Sequence, residues 1–266
     1  MYTRESLFQR GRIMKRLVHS FVTISLIVLS LSIAEAMKDK PLVMYLPFEE
    51  GQGDTTKDLS GNNPPGKLLA GAKWTKNGKF GNAIKFDGAA SYVEFDDNDI
   101  LDPKKVTFTM WLNMNSFVGN PVLLSHSQNE AGWYIQNTEA GEIWMCLPEP
   151  GNDHCIKTAN LKMKLGKFQH LAITFDRKKI KYYLDGELLD EIKLDFTIIN
   201  RAGTLRVGRW GNGCCFTNGI IDEVAIYSAV LTKEEIQLDM EGELLAVDPT
   251  AELAITWGFI KQNTGY

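Results

Sequence analysis

The sequence has little of what a hydrolase, a nucleotide enzyme or a nucleic-acid binder needs. Histidine occurs four times in 266 residues, at His19, His126, His154 and His170, with no H-E-x-x-H or His-x-His ligand pair. No serine sits in G-x-S-x-G, and the cysteines lack a convincing adjacent base. No E-x-D-x-E triplet sets carboxylates along one strand face, and Asp185-Gly186-Glu187 falls at a turn, where the glycine serves the backbone. There is no G-x-x-x-x-G-K-[ST], and Gly78-Lys79-Phe80-Gly81-Asn82 is not a dinucleotide fingerprint. A basic excess is also missing: 29 Lys and Arg face 33 Asp and Glu, which argues against non-specific nucleic-acid binding.

Long apolar runs are absent too, apart from Leu17 to Ile33. That run is 17 residues long, carries four serines and His19, and sits at the short limit for a bilayer span. Arg10, Arg12, Lys15 and Arg16 precede it, and Ala34-Glu35-Ala36 follows with the small-x-small form of a secretory cleavage site. Residues 1–36 are therefore read as a signal peptide, with Met14 as an alternative start and an uncleaved anchor as the competing reading. No cysteine stands at the end of the run to take a bacterial lipid anchor there. Cleavage would leave 230 residues with 24 basic and 31 acidic side chains, net −7, and no mature transmembrane segment. The expected location is secreted, periplasmic or cell-surface.

Only four cysteines occur, all beyond that leader, and export permits disulfides. Cys146 and Cys155 flank the turn-rich Leu147–His154 segment, which could bring them together across a hairpin. Cys214 and Cys215 are adjacent, so they form a vicinal link or pair separately with the other two. Zinc held by four thiolates would need closer pairing and another compartment.

What the chain does have is alternation. The clearest stretch is Phe168–Leu189, two apolar runs separated by charged turn residues. Gln169, Leu171, Ile173 and Phe175 share one strand face; Ile180, Tyr182 and Leu184 do the same on the return strand, and Asp185-Gly186 supplies a short turn. Such a hairpin needs a second sheet over it. Further strand signals cover Pro41–Phe48, Ile84 and Phe86, Tyr92–Phe95, Val106–Leu112, Val122–Ser125, Trp133–Asn137, Glu142–Leu147, Leu205–Gly208 and Ile220–Tyr227. The polar stretch 49–68 reads as a long ordered loop. A short helix begins near Leu231: Thr232 caps, Glu235 closes the capping box, and Leu231 staples to Ile236. The expected fold is all-β, a two-sheet antiparallel sandwich with a short C-terminal helix. Residues 241–266 form an extension whose role as edge strand or tail is open.

Several phrases in this order carry a resemblance: YLPFEEGQGDTTKDLSGNN, WTKNGKFGNAIKFDGAASYVEF, VTFTMWLNM, FQHLAITFDRKKIKYYLDGELL, LRVGRW and GIIDEVAIYSAVLTKEEI. Together they span about residues 42 to 238 and resemble the laminin-G-like, concanavalin-A-like jelly rolls of secreted and surface proteins. The resemblance implies a jelly-roll topology over residues 37–240 and a non-catalytic recognition or adhesion role. The ligand class it implies is an extracellular glycan, with a protein assembly partner as the alternative and a glycoside hydrolase as the remote one.

Glycan recognition needs aromatic planes and polar side chains, and the candidates are Trp133, Tyr134, Trp144, Trp210, Asn212, His126, Asn137 and His154. Alternation lets either Trp133 or Tyr134 face outward, not both. Trp210 is the expected exposed platform, because Gly211-Asn212-Gly213-Cys214-Cys215 after it reads as a loop. The family often carries structural calcium, and carried onto this chain its ligands would be Asp58 and Asp222, helped by nearby carbonyls. A carboxylate satisfied by backbone N–H groups is the alternative for Asp222 on its apolar strand. The acidic turn of Asp96, Asp97, Asp99 and Asp102 has three readings: a solvated loop, a cation site or catalysis.

Overall fold

The computed structural model describes residues 42–101, 104–128, 131–149, 152–194, 203–211 and 213–242. The expected signal peptide 1–36, Asn212, Asp102 and all but the first two residues of the 241–266 extension lie outside them. Among the described residues the strands are β1 (Leu42–Leu46), β2 (Thr55–Thr56), β3 (Gly66–Leu69), β4 (Lys73–Thr75), β5 (Ala83–Asp87), β6 (Tyr92–Phe95), β7 (Val106–Ser116), β8 (Val122–Gln128), β9 (Ala131–Asn137), β10 (Ile143–Glu149), β11 (Asn152–Lys157), β12 (Gln169–Phe175), β13 (Lys179–Leu184), β14 (Glu187–Lys193), β15 (Thr204–Val207) and β16 (Asn218–Tyr227). An α-helix, α1 (Lys233–Met240), follows β16.

All strand pairs are antiparallel. The first sheet runs β14-β13-β12-β7-β16-β5-β4, with β1 also on β16, and the second runs β11-β10-β9-β8-β15-β6-β3-β2. Neighbouring strands distant in sequence, such as β7 beside β16 and β8 beside β15, give the crossed connections of a jelly-roll sandwich. Between the sheets lies one core that includes Phe86, Phe95, Phe108, Leu112, Leu124, Ile135, Met145, Ile173, Tyr182 and Ile221. Burying these side chains is what commits each alternating strand to one register, because a slip by one residue would turn them to the opposite face.

The expected hairpin forms, with two differences. Asp185 (φ 52°) and Gly186 (φ 78°) make the two-residue turn, but that turn joins β13 to a third strand, β14, which the alternation did not reveal. Strand β12 is also buried on both faces, from Gln169 through Phe175. Its outer side lies beneath α1: His170 Nε2 stands 3.3 Å from Asp239 Oδ2, and Trp111 on adjacent β7 donates from Nε1 to Met240 O at 3.3 Å. Tyr227 donates its hydroxyl to Asp239 at 2.5 Å. Burial first, then the charge of Asp239, holds that phenol well above its ordinary range. The helix starts as expected, with Glu235 N donating to Thr232 Oγ1 at 3.2 Å and Thr232 N to Glu235 Oε2 at 2.7 Å. Leu231 and Ile236 are both buried, as a hydrophobic staple requires.

The stretch 49–68 is not wholly loop. Thr55–Thr56 and Gly66–Leu69 extend the second sheet, and Gly66 is needed there because an added Cβ would stand 2.4 Å from the Phe95 ring.

Candidate functional site

The two outer faces of the sandwich differ. That of the first sheet is closed over β7, β12 and β16 by α1, whereas among the described residues no α-helix lies on that of the second. Pairing registers place Tyr92 and Glu94 of β6, Ser125 of β8, Tyr134 and Gln136 of β9, Trp144 of β10 and Arg206 of β15 on this second outer face. Each lies one position out of phase with a core residue, so strand alternation itself turns these side chains outward.

Tyr134, half-buried, packs on Trp210 with ring centroids 4.1 Å apart at an interplanar angle of 52°. Trp144 is half-buried and sits diagonally across the β9–β10 ladder from Tyr134, a spacing of about 7–8 Å that aromatic side chains can bridge. Its indole Nε1 has no hydrogen-bond partner among the described residues. The Cys146–Cys155 disulfide staples the β10–β11 hairpin on the same face, where the two cysteines are direct cross-strand neighbours, and Tyr134 Oη lies 3.4 Å from Cys155 Sγ. The local pairing expected from the sequence is thus formed, while Cys214 and Cys215 are unbonded thiols. Burial first, then its hydrogen bond to Cys214, pushes the Cys215 thiol up to about 12.

The loop after β15 closes the cluster. Trp210 N donates to Cys214 O at 3.1 Å and Gly213 N to Trp210 O at 3.1 Å, which folds the turn back on itself. Ser125 Oγ donates to Arg209 O at 2.9 Å and ties that turn to the sheet. The Arg209 guanidinium stands over Tyr92, 3.9 Å from the ring centroid. Arg206 is held by Glu94 at 2.8 Å.

Several expected site residues are placed differently. Trp210 is not an exposed platform: it is 9% exposed and forms the wall behind Tyr134, because the turn folds inward and β9 offers a partner. Trp133 faces the core, 4.8 Å from the Phe108 ring, so Tyr134 is the outward residue of that pair. Asn137 and His126 are also buried, the latter 3.1 Å from Asp97 Oδ1. His154 is exposed, but it pairs with Leu147 and so points to the side opposite the aromatic cluster, 3.8 Å from Glu149 Oε2. Tyr92, Arg206 and Arg209 were not singled out from the sequence. The phrase LRVGRW contains both arginines, yet only the fold brings Tyr92 beneath one of them.

The two expected calcium ligands lie in separate hydrogen-bond networks. Asp58 accepts from Tyr45 N (2.8 Å), Ser60 N (2.9 Å), Ser60 Oγ (2.6 Å), Asn63 N (3.0 Å) and Asn63 Nδ2 (2.8 Å). Both oxygens are thereby occupied, so Asp58 does not fit a cation ligand. Asp222 sits at a bulge in β16 and accepts from Lys79 N (2.8 Å), Phe80 N (3.1 Å) and Glu223 N (3.0 Å). Burial, aided by the charge of Glu49, pushes its carboxyl up to about 7 against the pull of those N–H groups. Both oxygens of Asp222 therefore have backbone N–H donors, the alternative expected for it from the sequence, and the nearby charge of Glu49 is what distinguishes its surroundings from those of Asp58. Among the described residues no three His, Cys, Asp or Glu side chains cluster as a metal site.

Two sheets packed face to face, closed on one side by a helix and bearing aromatics on the other, define a lectin-type jelly-roll domain. The chain belongs to the concanavalin A-like lectin/glucanases superfamily, whose family model matches residues 87–237, more than half its length. A search of curated proteins found no match. Among solved structures, the chain is similar to the binding domain of Paraclostridial Mosquitocidal Protein 1, with TM-score 0.62 and 18% identity over 76% of this chain and 52% of that one. It is similar to Domain 4 of AbnA, a GH43 extracellular arabinanase from Geobacillus stearothermophilus, in complex with arabinotriose, with TM-score 0.61 and 18% identity over 75% of this chain and 98% of that one. The Botulinum neurotoxin serotype G binding domain matches with TM-score 0.60 and 16% identity over 74% and 50% of the two chains. The chain spans about half the length of the toxin binding domains it matches. No helix among the described residues is long and apolar enough to cross a membrane.

Proposed function

We propose that this is an exported, non-catalytic domain that recognises a glycan on the outer face of its second sheet. The observation that carries the reading is the Tyr134–Trp210 pair beside Trp144 on that face, while α1 closes the other. Sugar rings present axial C–H groups that pack on aromatic faces, and a half-buried aromatic loses little conformational freedom when it does so. Tyr134 and Trp144 are the contact surfaces; Trp210 is the positioning residue that fixes Tyr134. Support comes from the arabinotriose complex of the arabinanase domain and from the number of binding domains with this fold. The absence of catalysis is part of the proposal: Glu94 on this face is committed to Arg206 rather than set opposite a second carboxylate. Export rests on the leader of residues 1–36. A glycan array read at fixed calcium tests the proposal. Binding that is lost in Tyr134→Ala and Trp144→Ala supports it, and a folded protein that retains no glycan refutes it.

Calcium enters this proposal at Asp222 and Glu49, where it would neutralise a buried repulsion and brace β16 against the 78–80 turn. Calcium should then raise the melting temperature of chelator-stripped protein; an unchanged melting curve, or an equal rise in Asp222→Asn, removes the ion from the account.

A protein partner is the second reading, favoured by the exposed apolar side chains of Val118 (79% exposed), just after β7, and Leu165 (51% exposed), on a loop tied to the end of β7 by Gly166 N donating to Met114 O at 2.8 Å. One solved neighbour is a Botulinum neurotoxin DC binding domain in complex with rat synaptotagmin II. This reading places the effect of substitutions at Val118 and Leu165, not at Tyr134 and Trp144.

A further inference from the structure

We infer that the glycan taken by the second sheet's outer face is anionic, and that Arg209 is its specificity determinant. This rests on the glycan reading above and adds the chemical class of the ligand. The other cations placed by register beside the aromatic cluster are matched with acids: Arg206 Nε lies 2.8 Å from Glu94 Oε2, and Lys157 Nζ lies 2.8 Å from Glu142 Oε2. Arg209 has no such partner among the described residues. Its Nε is buried and meets no acceptor there, and its guanidinium is held over the Tyr92 ring at 3.9 Å.

That placement is rigid. Ser125 Oγ grips the Arg209 carbonyl at 2.9 Å, Gly208 N donates to Leu123 O at 3.0 Å, and the Trp210–Cys214 turn fixes the next residue. A guanidinium backed by an aromatic ring keeps its charge and its planar fork of N–H donors while losing part of its hydration. It is thereby prepared for an oxyanion that accepts two parallel hydrogen bonds. Trp210, adjacent in sequence, carries Tyr134 on its face, so an anion on Arg209 and a ring against Tyr134 and Trp144 can belong to one ligand. In a chain whose acidic residues outnumber its basic ones, an arginine with no acidic partner among the described residues, at an aromatic-lined outer face, selects against neutral sugars rather than for bulk negative surfaces. The oxyanion is a carboxylate on a hexuronic or nonulosonic ring, or a sulfate ester on a neutral ring; both offer the same forked acceptor.

The test is an array carrying matched neutral, carboxylated and sulfated versions of the same oligosaccharide backbones, probed with the disulfide-bonded protein, Arg209→Gln and Arg209→Lys. Anionic versions should be retained about tenfold more strongly than their neutral counterparts, with the preference falling as salt rises. Arg209→Gln should abolish that preference, and Arg209→Lys, which keeps the charge but loses the fork, should retain only part of it. The carboxylated and sulfated arms identify which anion the site takes. Equal retention of neutral and anionic versions, or a preference unchanged in Arg209→Gln, overturns the inference and leaves the glycan reading standing. No retained glycan of any class overturns both. Arg209→Lys also covers the case in which Arg209→Gln does not fold.

Discussion

Replacing Asp58 separates two accounts of a buried carboxylate that look alike in sequence. The side chain is 7% exposed and receives five hydrogen bonds within 3.0 Å. In Asp58→Ala the Ser60 hydroxyl and the Asn63 amide can still donate to Val43 O, at 3.0 and 2.9 Å. Of the remaining three main-chain donors, Ser60 N is on a half-exposed residue and can turn to water, whereas those of Tyr45 and Asn63 lose their Asp58 acceptor within the fold, and each orphaned donor costs about 1–3 kcal/mol. The expected loss is therefore about 4 kcal/mol, and at about 2–4 °C per kcal/mol for a domain of this size the melting temperature should fall by roughly 8–16 °C. Asp58→Asn keeps one acceptor oxygen and should lose about half as much. The damage should spread to the 96–99 turn, because Asn98 Nδ2 donates to Asn63 Oδ1 at 3.1 Å. Calorimetric melts of wild type and both variants, each with chelator and with calcium, measure this. The same drop in both conditions is expected. A loss below about 1 kcal/mol, or a loss that appears only with calcium present, would refute the hydrogen-bond account and return Asp58 to the role of cation ligand.

Three further outcomes follow from the geometry. Cys146→Ser with Cys155→Ser opens a loop of nine residues' separation, which should cost about 2–3 kcal/mol and weaken glycan retention by loosening Tyr134; an unchanged melt and unchanged retention would contradict this. With its thiol pushed up to about 12, Cys215 should be alkylated by iodoacetamide at pH 8 far more slowly than in urea. The sign for stability is that the unfolded thiol, near its ordinary value of about 8.5, releases its proton first, so stability falls as pH rises through that value; equal labelling rates folded and unfolded would refute the shift. Thr232→Ala removes the cap of α1 and should cost about 1 kcal/mol, with a red shift in tryptophan emission as Trp111 loses its cover, whereas emission and melt both unchanged would mean that α1 does not shield it.

Much of the architecture was legible because burial on one face writes a period of two into a strand, as in Tyr92–Phe95 and in Ile84 to Asp87. The capping box at Thr232 was legible because its residues are local. What failed to show in sequence depends on partners far along the chain. Strand β3 forms because β6 offers it a register at Leu68 and Val93, not because the Gly- and Pro-rich stretch before it favours extension. Alternation established that one of Trp133 and Tyr134 points outward; only the packing of Trp133 on Phe108 decided which. Trp210 looked exposed because glycines follow it, yet a turn that folds back on itself can bury its first residue against a neighbouring strand. Asp222 reads in sequence as a carboxylate on an apolar strand that needs a partner, and Asp58 as an oxygen donor in a polar loop, but the backbone N–H groups that both of them accept from leave no trace in residue identity. Arg209 drew no attention because an arginine's significance lies in the acid it lacks, and that is a three-dimensional fact.

The most direct test of a recognition face on the second sheet is a nitrogen–proton correlation spectrum of the folded protein, recorded with and without the glycan best retained on the array. The account predicts shifts concentrated at Tyr92, Tyr134, Trp144, Arg209 and Trp210, including the Trp144 indole N–H, which has no hydrogen-bond partner among the described residues. Shifts confined instead to the loops around Val118 and Leu165, or to the helix-covered face at Trp111 and His170, would contradict it.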